Sequence, residues 1–274
     1  MRDGIGEFGV WRMAGGFTPE LAREVEALGF GAIWLGGSPG GNLAIVETLL
    51  DATERIAIAT GIVNMWRDEA ALVAQAYHRI VARHSGRFLL GVGVGHREAI
   101  DRYRKPLDKI VGYLDQLDES DVPREDVVLA ALGPKALALA GERTAGAHPY
   151  LTTPRHSGYA REILGDGPLL APEHKVVLDT DRAQARLRGR SVVSRYLDRV
   201  NYRNNLLREG WSEADLADGG SDRLVDALVL HGTAGDVAAG LVAHREAGAD
   251  HVGIQILGDE PLESYRELAG ALFG

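Results

Sequence analysis

The chain has 274 residues, a formal net charge of −9 at pH 7 and no cysteine. Its composition, 45% hydrophobic and 25% charged, is that of a globular protein with a sizeable core and excludes a disordered chain. The negative charge disfavours nucleic acid and anionic membranes as partners, and the lack of cysteine excludes disulfides, thiolate metal sites and cysteine nucleophiles. No apolar signal segment or membrane-length apolar run is visible, so we expect a cytoplasmic protein.

Short apolar runs alternate with longer amphipathic stretches, which is the pattern of βαβ units. Eight runs predict strands, at residues 5–11, 32–35, 56–63, 88–94, 127–132, 147–151, 175–178 and 251–257. Several helices are predicted across 179–231, after the seventh strand. We therefore predict a single (β/α)₈ TIM barrel over residues 1–274, with a helical insertion after strand 7. A doubly wound sheet is the competing fold, and the strand count argues against it.

The end of the third predicted strand has an unusual composition. In a TIM barrel the active site lies at the carboxyl ends of the strands, so the residues that follow each strand carry most information. Gly61 permits backbone geometry that other residues resist, Asn64 offers polar contacts, and Trp66 offers an aromatic wall. The alternative is an ordinary loop in which Trp66 covers the core.

The fourth predicted strand ends in alternating glycines followed by a histidine. The spacing is GxGxG and not the GxGxxG of a dinucleotide site, so the match to a nucleotide fingerprint is weak. We interpret Gly93 and Gly95 as leaving room for a flat ring, with His96 beside it. A lone histidine is more often a structural hydrogen-bonding residue, and that alternative stays open for His96.

Two later strand ends suggest an anion site. Gly133-Pro134-Lys135 starts a helix after the fifth strand, and free amides at a helix N-terminus with a nearby lysine bind phosphate. A plain βα turn would use much the same residues. After the sixth strand, Tyr150 and Thr152 are placed to reach a phosphate or a sugar chain, although the threonine also suits a turn.

The remaining motifs are less informative about function. Residues 201–205, within the insertion, offer amides and an aromatic ring that could roof a cleft, but a solvated helix face is the preferred interpretation. The chain has no HExxH, GxSxG or P-loop motif, and its histidines lack metal-ligand spacing, so we predict no metal.

Five segments together resemble luciferase-like oxidoreductases, and most of all the branch that uses the deazaflavin coenzyme F-420. They lie at residues 60–66, 84–88, 91–96, 132–135 and 249–252, and the likeness runs from about residue 5 to 257. The resemblance implies a dimeric barrel with the cofactor ring across the strand ends. It also implies a non-proline cis peptide at Gly61–Ile62 and a phosphate grip at Gly133, Pro134 and Lys135. A polar residue is expected where this chain has Gly95.

From these observations we predict an oxidoreductase that transfers a hydride between coenzyme F-420 and a small organic substrate, acting as a homodimer. His96, Asn64 and Trp66 are the candidate catalytic residues, with His96 as the candidate proton donor. The residues predicted to bind the cofactor are Gly61, Ile62, Val63, Asn64, Gly93, Gly95, His96, Gly133, Pro134, Lys135, Tyr150 and Thr152. The alternatives are an FMN-dependent luciferase-like monooxygenase and a non-catalytic deazaflavin-binding barrel.

Overall fold

The strands of the described residues form a single curled sheet, and their pairings are parallel. The computed structural model describes residues 4–95, 105–258 and 261–274. The strands within these ranges are β1 (Phe8–Met13), β2 (Ala32–Gly36), β3 (Ala57–Thr60), β4 (Val63–Asn64), β5 (Phe88–Gly93), β6 (Val127–Leu129), β7 (Gly146–Ala147), β8 (Leu169–Leu170), β9 (Glu173–Val177), β10 (Val229–His231) and β11 (Val252–Ile256). Their order in the sheet is β10-β9-β11-β1-β2-β3-β5-β6-β7-β8, with β4 also paired to β5.

The sheet closes on itself through the short link between β8 and β9. Only Ala171 and Pro172 separate these two strands. The N–H of Ala171 donates to the Ala147 carbonyl on β7, and the Pro172 carbonyl accepts the N–H of Gly253 on β11. The segment from β8 to β9 therefore acts as one strand of the barrel, between β7 and β11. In the same way, β3 and β4 together act as one strand. The closed ring therefore has the eight positions of a barrel, with β10 as an additional strand beside β9, and this confirms the predicted fold.

Helices follow the strands and cover the outside of the barrel. Those of the described residues are α1 (Pro19–Ala27), α2 (Ala44–Ala52), α3 (Ala70–Val81), α4 (Pro106–Glu119), α5 (Pro134–Arg143), α6 (Pro154–Leu164), α7 (Arg182–Leu197), α8 (Val200–Arg208), α9 (Glu213–Leu216), α10 (Asp222–Leu228), α11 (Ala234–Glu246) and α12 (Pro261–Phe273). The helices α7 to α10 are the insertion predicted after strand 7. In the part of the chain that the structure describes, no helix is long and apolar enough to cross a membrane.

Several strand predictions needed correction. The first strand lies at Phe8–Met13, the sixth is confined to Gly146–Ala147, and β8 was not predicted. The third predicted strand is interrupted at Gly61 and Ile62, which separate β3 from β4. The seventh begins earlier than predicted, because Glu173 and His174 break the apolar run although both side chains are buried inside the fold. The region 179–231 is not wholly helical, since its last residues form β10 beside β9. A three-residue strand is too short to show periodicity.

Aromatic and small apolar side chains fill the barrel interior. One buried cluster contains Trp11, Trp34, Leu89 and Val128, from four different strands, together with smaller residues. A larger cluster lies between the sheet and the helices. The interior is therefore a packed core, and the space available to a ligand lies above Trp11, at the carboxyl ends of the strands.

Candidate active site

A cavity of about 1080 Å³ opens at the carboxyl end of the barrel. It lies between the strand ends, the first turns of α4 and α5, and the insertion helices α7 and α8. The side chains and backbone that line it come from Trp11, Met13, Gly37, Ser38, Gly61, Ile62, Asn64, Val94, Gly95, Lys105, Pro106, Leu107, Asp108, Ile110, Ala130, Ala131, Leu132, Gly133, Pro134, Lys135, Ala136, His148, Tyr150, Tyr196, Val200, Asn201, Tyr202, Asn204 and Arg208. A pocket of this size accommodates a tricyclic ring, its side chain and a small substrate.

The interruption between β3 and β4 forms part of the cavity wall. The peptide bond between Gly61 and Ile62 is cis, as the resemblance implies, and both residues line the cavity. Gly61 is in close contact with two aromatic side chains behind it. A Cβ added to Gly61 would lie 2.8 Å from Nε1 of Trp11 and 3.1 Å from Nε2 of His148. This position therefore accepts only glycine without displacement of its neighbours.

His148 is held as the neutral tautomer that carries its proton on Nδ1. Its ring stacks on Trp34 with the centroids 4.1 Å apart, and its Nδ1 lies 2.6 Å from the Ala171 carbonyl oxygen, to which it must donate. Burial lowers the pKa of His148 to about 4, so the imidazole is uncharged near pH 7 and Nε2 is an acceptor. Within the described ranges, Nε2 of His148 and Nε1 of Trp11 have no hydrogen-bond partner.

Of the three candidate catalytic residues, only Asn64 lies at the cavity within the described ranges. Its Oδ1 accepts the backbone N–H of Trp66 at 2.9 Å. Trp66 itself is not among the lining residues, and the Nζ of Lys109 on α4 lies 5.5 Å from the centroid of its indole. Trp66 therefore covers the wall of the barrel, in keeping with the alternative interpretation. His96 lies outside the described residues.

The candidate cofactor-binding residues other than His96, which lies outside the described residues, divide into two groups. Gly61, Ile62, Asn64, Gly95, Gly133, Pro134, Lys135 and Tyr150 line the cavity. Val63, Gly93 and Thr152 do not. Val63 is fully buried in β4, and Thr152 is buried as well.

Gly93 has a packing role that sequence patterns do not reveal. A Cβ at Gly93 would lie 2.8 Å from the Cβ of Ala130 and 3.1 Å from Cγ1 of Ile62. The space left by this glycine is thus filled by protein side chains and not by a ring. The interpretation of the alternating glycines as room for a flat ring is wrong at Gly93, whereas Gly95 does face the cavity.

The start of α5 presents free backbone donors to the cavity. Gly133 is the N-cap, Pro134 occupies the first turn, and no side chain caps the helix. The first N–H groups of a helix have no intrahelical acceptor, so those of Lys135 and Ala136 are available to a ligand. The helix dipole and the Lys135 ammonium favour an anion at this position.

The insertion supplies a further cationic side chain, beside Lys135 and Lys105, that the sequence analysis did not identify. Arg208, on α8, lines the cavity, and its Nη2 lies 3.9 Å from the position that a Cβ on Gly133 would occupy. Asn201, Tyr202 and Asn204 also line the cavity. Asn201 and Asn204 are solvent-exposed, in keeping with the preferred interpretation of 201–205 as a solvated face, whereas Tyr202 is buried and does not fit it. The spacing of 201, 204 and 208 along one helix face was the available signal.

Aromatic side chains border the cavity beside the interruption between β3 and β4. The Tyr150 ring lies 5.3 Å from the Trp11 ring and 5.3 Å from the Tyr196 ring, measured between centroids. The Tyr150 hydroxyl donates to Oε1 of Gln255 at 3.2 Å, and the Tyr196 hydroxyl lies 3.1 Å from it. Burial raises the pKa of Tyr150 well above its usual value, so the phenol stays protonated. Tyr150 offers a fixed, uncharged face to a ligand.

Comparisons with known proteins agree with this geometry. Residues 7–117 match the family model of the luciferase-like monooxygenases. The chain is 24% identical, over 73% of its length and 76% of the relative's, to 5,10-methylenetetrahydromethanopterin reductase from Archaeoglobus fulgidus. No group of three or more histidine, cysteine, aspartate or glutamate residues suited to a metal ion occurs within the described ranges.

Two solved structures share the fold over almost their whole length. An F-420-dependent secondary alcohol dehydrogenase, in complex with an F-420-acetone adduct, superposes with a TM-score of 0.77 at 16% identity and covers 98% of this chain and 99% of its own. The oxygenating constituent of 3,6-diketocamphane monooxygenase from Pseudomonas putida, in complex with FMN, gives 0.66 at 15% identity over 97% and 96%. The chain is thus luciferase-like in sequence over residues 7–117 and luciferase-like in fold over almost all of its length.

Proposed function

We propose that this luciferase-like barrel is an oxidoreductase that transfers a hydride between the deazaflavin coenzyme F-420 and a small organic substrate. The relatives that support the deazaflavin are the methanopterin reductase and the alcohol dehydrogenase described above. The candidate deazaflavin site is the strand-end cavity. The substrate is a small molecule that enters the same cavity.

The proposal rests on one observation: a single cavity is bordered by aromatic side chains at the strand ends and by free backbone amides next to a cationic side chain. Trp11, Ile62 and Tyr150 line one part of it, and the first turn of α5 with Lys135 lines another. A ring with a phosphate-bearing side chain needs these two environments in one pocket. The uncapped N-terminus of α5 supports this assignment, because a Cβ on Gly133 would meet only Arg208, at 3.9 Å, so space is open next to the free amides.

The residues of the chain then have separate roles. The amides of Lys135 and Ala136 and the Lys135 ammonium bind the phosphate. Ile62 and the backbone at Gly61 support the ring, and Asn64 offers polar contacts to it. A bound deazaflavin supplies a carbon that accepts or donates a hydride, while the protein supplies burial and orientation. Tyr150 shields the reacting face from water.

The proposal is tested by titrating the protein with F-420 and with FMN while recording ring absorbance and tryptophan fluorescence. We expect F-420 to quench the fluorescence, because Trp11 lines the cavity. The Trp11→Phe variant should lose most of this quenching and keep its ring-absorbance change. Trp211→Phe is the matched control, since Trp211 packs against Arg223 outside the cavity and its loss should leave the quenching intact. If neither cofactor alters either signal, the proposal fails.

The FMN-dependent monooxygenase is the second candidate, favoured by the FMN-bound relative of the same fold. The amide cradle recognises a phosphate and so accepts either cofactor. The two functions differ in their chemistry with oxygen, which a reduced flavin activates and a reduced deazaflavin does not. Oxygen consumption by the reduced, FMN-loaded protein with a substrate panel would favour the monooxygenase. Tight F-420 binding without turnover would favour a non-catalytic binding protein.

The homodimer is part of the same proposal. Luciferase-like barrels are usually dimeric, and the resemblance extends this expectation to the present chain. Light scattering coupled to gel filtration tests it directly. A mass near 29.4 kDa would show a monomer and reject this part of the proposal.

A further inference from the structure

We infer that Arg208, carried by the helical insertion, is an additional phosphate-binding residue of the cavity and that Asn205 and Glu209 are its positioning residues. The inference rests on the proposed cofactor site and extends it from the barrel to α8. The ligand group it concerns is a phosphate ester on the side chain of a planar ring.

The first step is the placement of Arg208 next to the α5 cradle. Its Nη2 lies 3.9 Å from the position of a Cβ on Gly133, and both residues line the same cavity. A planar guanidinium donates two parallel hydrogen bonds to phosphate oxygens, which an ammonium does not. An anion bound by the amides of Lys135 and Ala136 would therefore lie within reach of the Arg208 guanidinium.

The second step is the fixed direction of the Arg208 side chain. Its Nη1 donates to Oδ1 of Asn205 at 3.1 Å. The Asn205 amide has only one orientation that serves this contact, because its Nδ2 donates to Oε1 of Glu209 at 2.8 Å. Asn205 is only 2% exposed, so a flipped amide would leave buried polar atoms without partners.

The third step is the hydrogen bond that connects Glu209 to the barrel. Glu209 is 7% exposed, and its Oε2 accepts the hydroxyl of Thr153 at 2.7 Å. Thr153 in turn caps α6, where its Oγ1 accepts the N–H of His156. The cap of α6 directly follows the loop that carries His148 and Tyr150, so Glu209 joins the insertion to the mouth of the barrel.

Burying the carboxylate of Glu209 costs free energy, which indicates that its hydrogen bonds have a structural role. Burial raises the pKa of Glu209 to about 7, and the hydrogen bonds from Thr153 and Asn205 offset part of that cost. A leucine or glutamine would avoid the desolvation of a carboxylate. A carboxylate, however, presents two acceptor oxygens to the two donors and so orients Asn205 uniquely toward Arg208.

The test compares ligands with and without the phosphate: F-420 against its phosphate-free deazaflavin core, and FMN against riboflavin. For Arg208→Met we expect binding of the phosphate-bearing ligands to weaken about tenfold, while binding of the phosphate-free ligands is unchanged. Arg208→Lys should recover only part of the loss, since it keeps the charge but not the fork. Glu209→Gln should give a smaller loss with the same dependence on phosphate.

Arg203→Met is the matched control, because Arg203 lies on the same helix, pairs with Glu213 and does not line the cavity. An equal loss in Arg203→Met would overturn the inference, since it would show a general effect of surface charge. Equal affinities of wild type and Arg208→Met for FMN and for F-420 would also overturn it. If the wild-type protein prefers neither phosphate-bearing ligand to its phosphate-free form, the proposed cofactor site itself fails.

Discussion

The ammonium of Lys175 lies 3.8 Å from the centre of the Tyr150 ring, and its Nζ forms an ion pair with Glu173 at 2.9 Å. Both charged side chains are fully buried. Oε2 of Glu173 also accepts the N–H of Leu151, whose φ of 57° lies in the left-handed region. The buried pair therefore supports, from inside the barrel, the loop that brings Tyr150 to the cavity.

We predict that Lys175→Met destabilises the protein by about 3–5 kcal/mol, because it leaves the Glu173 carboxylate buried and unpaired. Burial already raises the pKa of Glu173, and removal of Lys175 raises it further. A group with a raised folded-state pKa loses stability as pH rises, so the deficit should be larger at pH 8 than at pH 5. Urea unfolding at both pH values measures it.

The double variant Glu173→Gln/Lys175→Met is the control for this prediction. It removes both charges at nearly constant volume and keeps an oxygen to accept the Leu151 N–H. It should be more stable than Lys175→Met alone, with little pH dependence between pH 5 and 8. A single variant as stable as wild type would contradict the assignment of the pair as a buried electrostatic support.

Gly133→Asp should raise the stability of the protein and weaken its binding of the cofactor. The new carboxylate would cap α5, which now has no side-chain cap, and raise stability by roughly a few tenths of a kcal/mol, since glycine is itself an acceptable N-cap residue. The same carboxylate would occupy the amides of Lys135 and Ala136 and repel a phosphate. We therefore expect a higher melting temperature together with loss of F-420 and FMN binding, measured by thermal unfolding and fluorescence titration.

Gly133→Ala is the matched control at this position. Its Cβ would meet only Arg208, at 3.9 Å, and the φ of −88° is accessible to alanine. Cofactor affinity should stay within a few-fold of wild type. Unaltered affinity in Gly133→Asp would show that the start of α5 does not hold the phosphate.

Gly61→Ala should destabilise the wall of the cavity by about 1–3 kcal/mol, since its Cβ overlaps Trp11 and His148. Displacement of these rings should also weaken the quenching of Trp11 by the cofactor. Gly112→Ala, in the middle of α4 with open space around it, is the control and should stabilise by about 0.5–1 kcal/mol. Equal unfolding midpoints for the two variants would contradict the close contacts at Gly61.

The buried histidines should make the protein sensitive to acid. Burial lowers the pKa of His148 and of His251 to about 4, and that of His244 to about 3, from 6.5. Between pH 6.5 and 4 the unfolded chain takes up protons that the native state does not. Each histidine should therefore reduce stability by up to about 1.4 kcal/mol per unit of falling pH in this window. Urea midpoints at pH 7.5, 6 and 5 test this, and equal midpoints would contradict it.

The barrel and the start of α5 could be predicted from the sequence, because both depend on local patterns. Strands and helices alternate with their own periodicities, and Gly133-Pro134 fixes a helix start through backbone preferences of neighbouring residues. The cis bond at Gly61–Ile62 came from the family resemblance and not from the residues alone. Its presence in the structure confirms that part of the resemblance.

Only the tertiary structure decided which side chains meet at the cavity. Gly93 is the last residue of β5 and Trp66 follows β4, which are positions typical of ligand-binding residues. Neighbouring protein atoms nevertheless occupy the space beside Gly93, and Trp66 lies outside the cavity. Arg208 lies 75 positions beyond Gly133 in the chain but reaches it in space. Such contacts depend on how the insertion folds back over the barrel, and this is set by long-range packing and hydrogen bonds that no local pattern encodes.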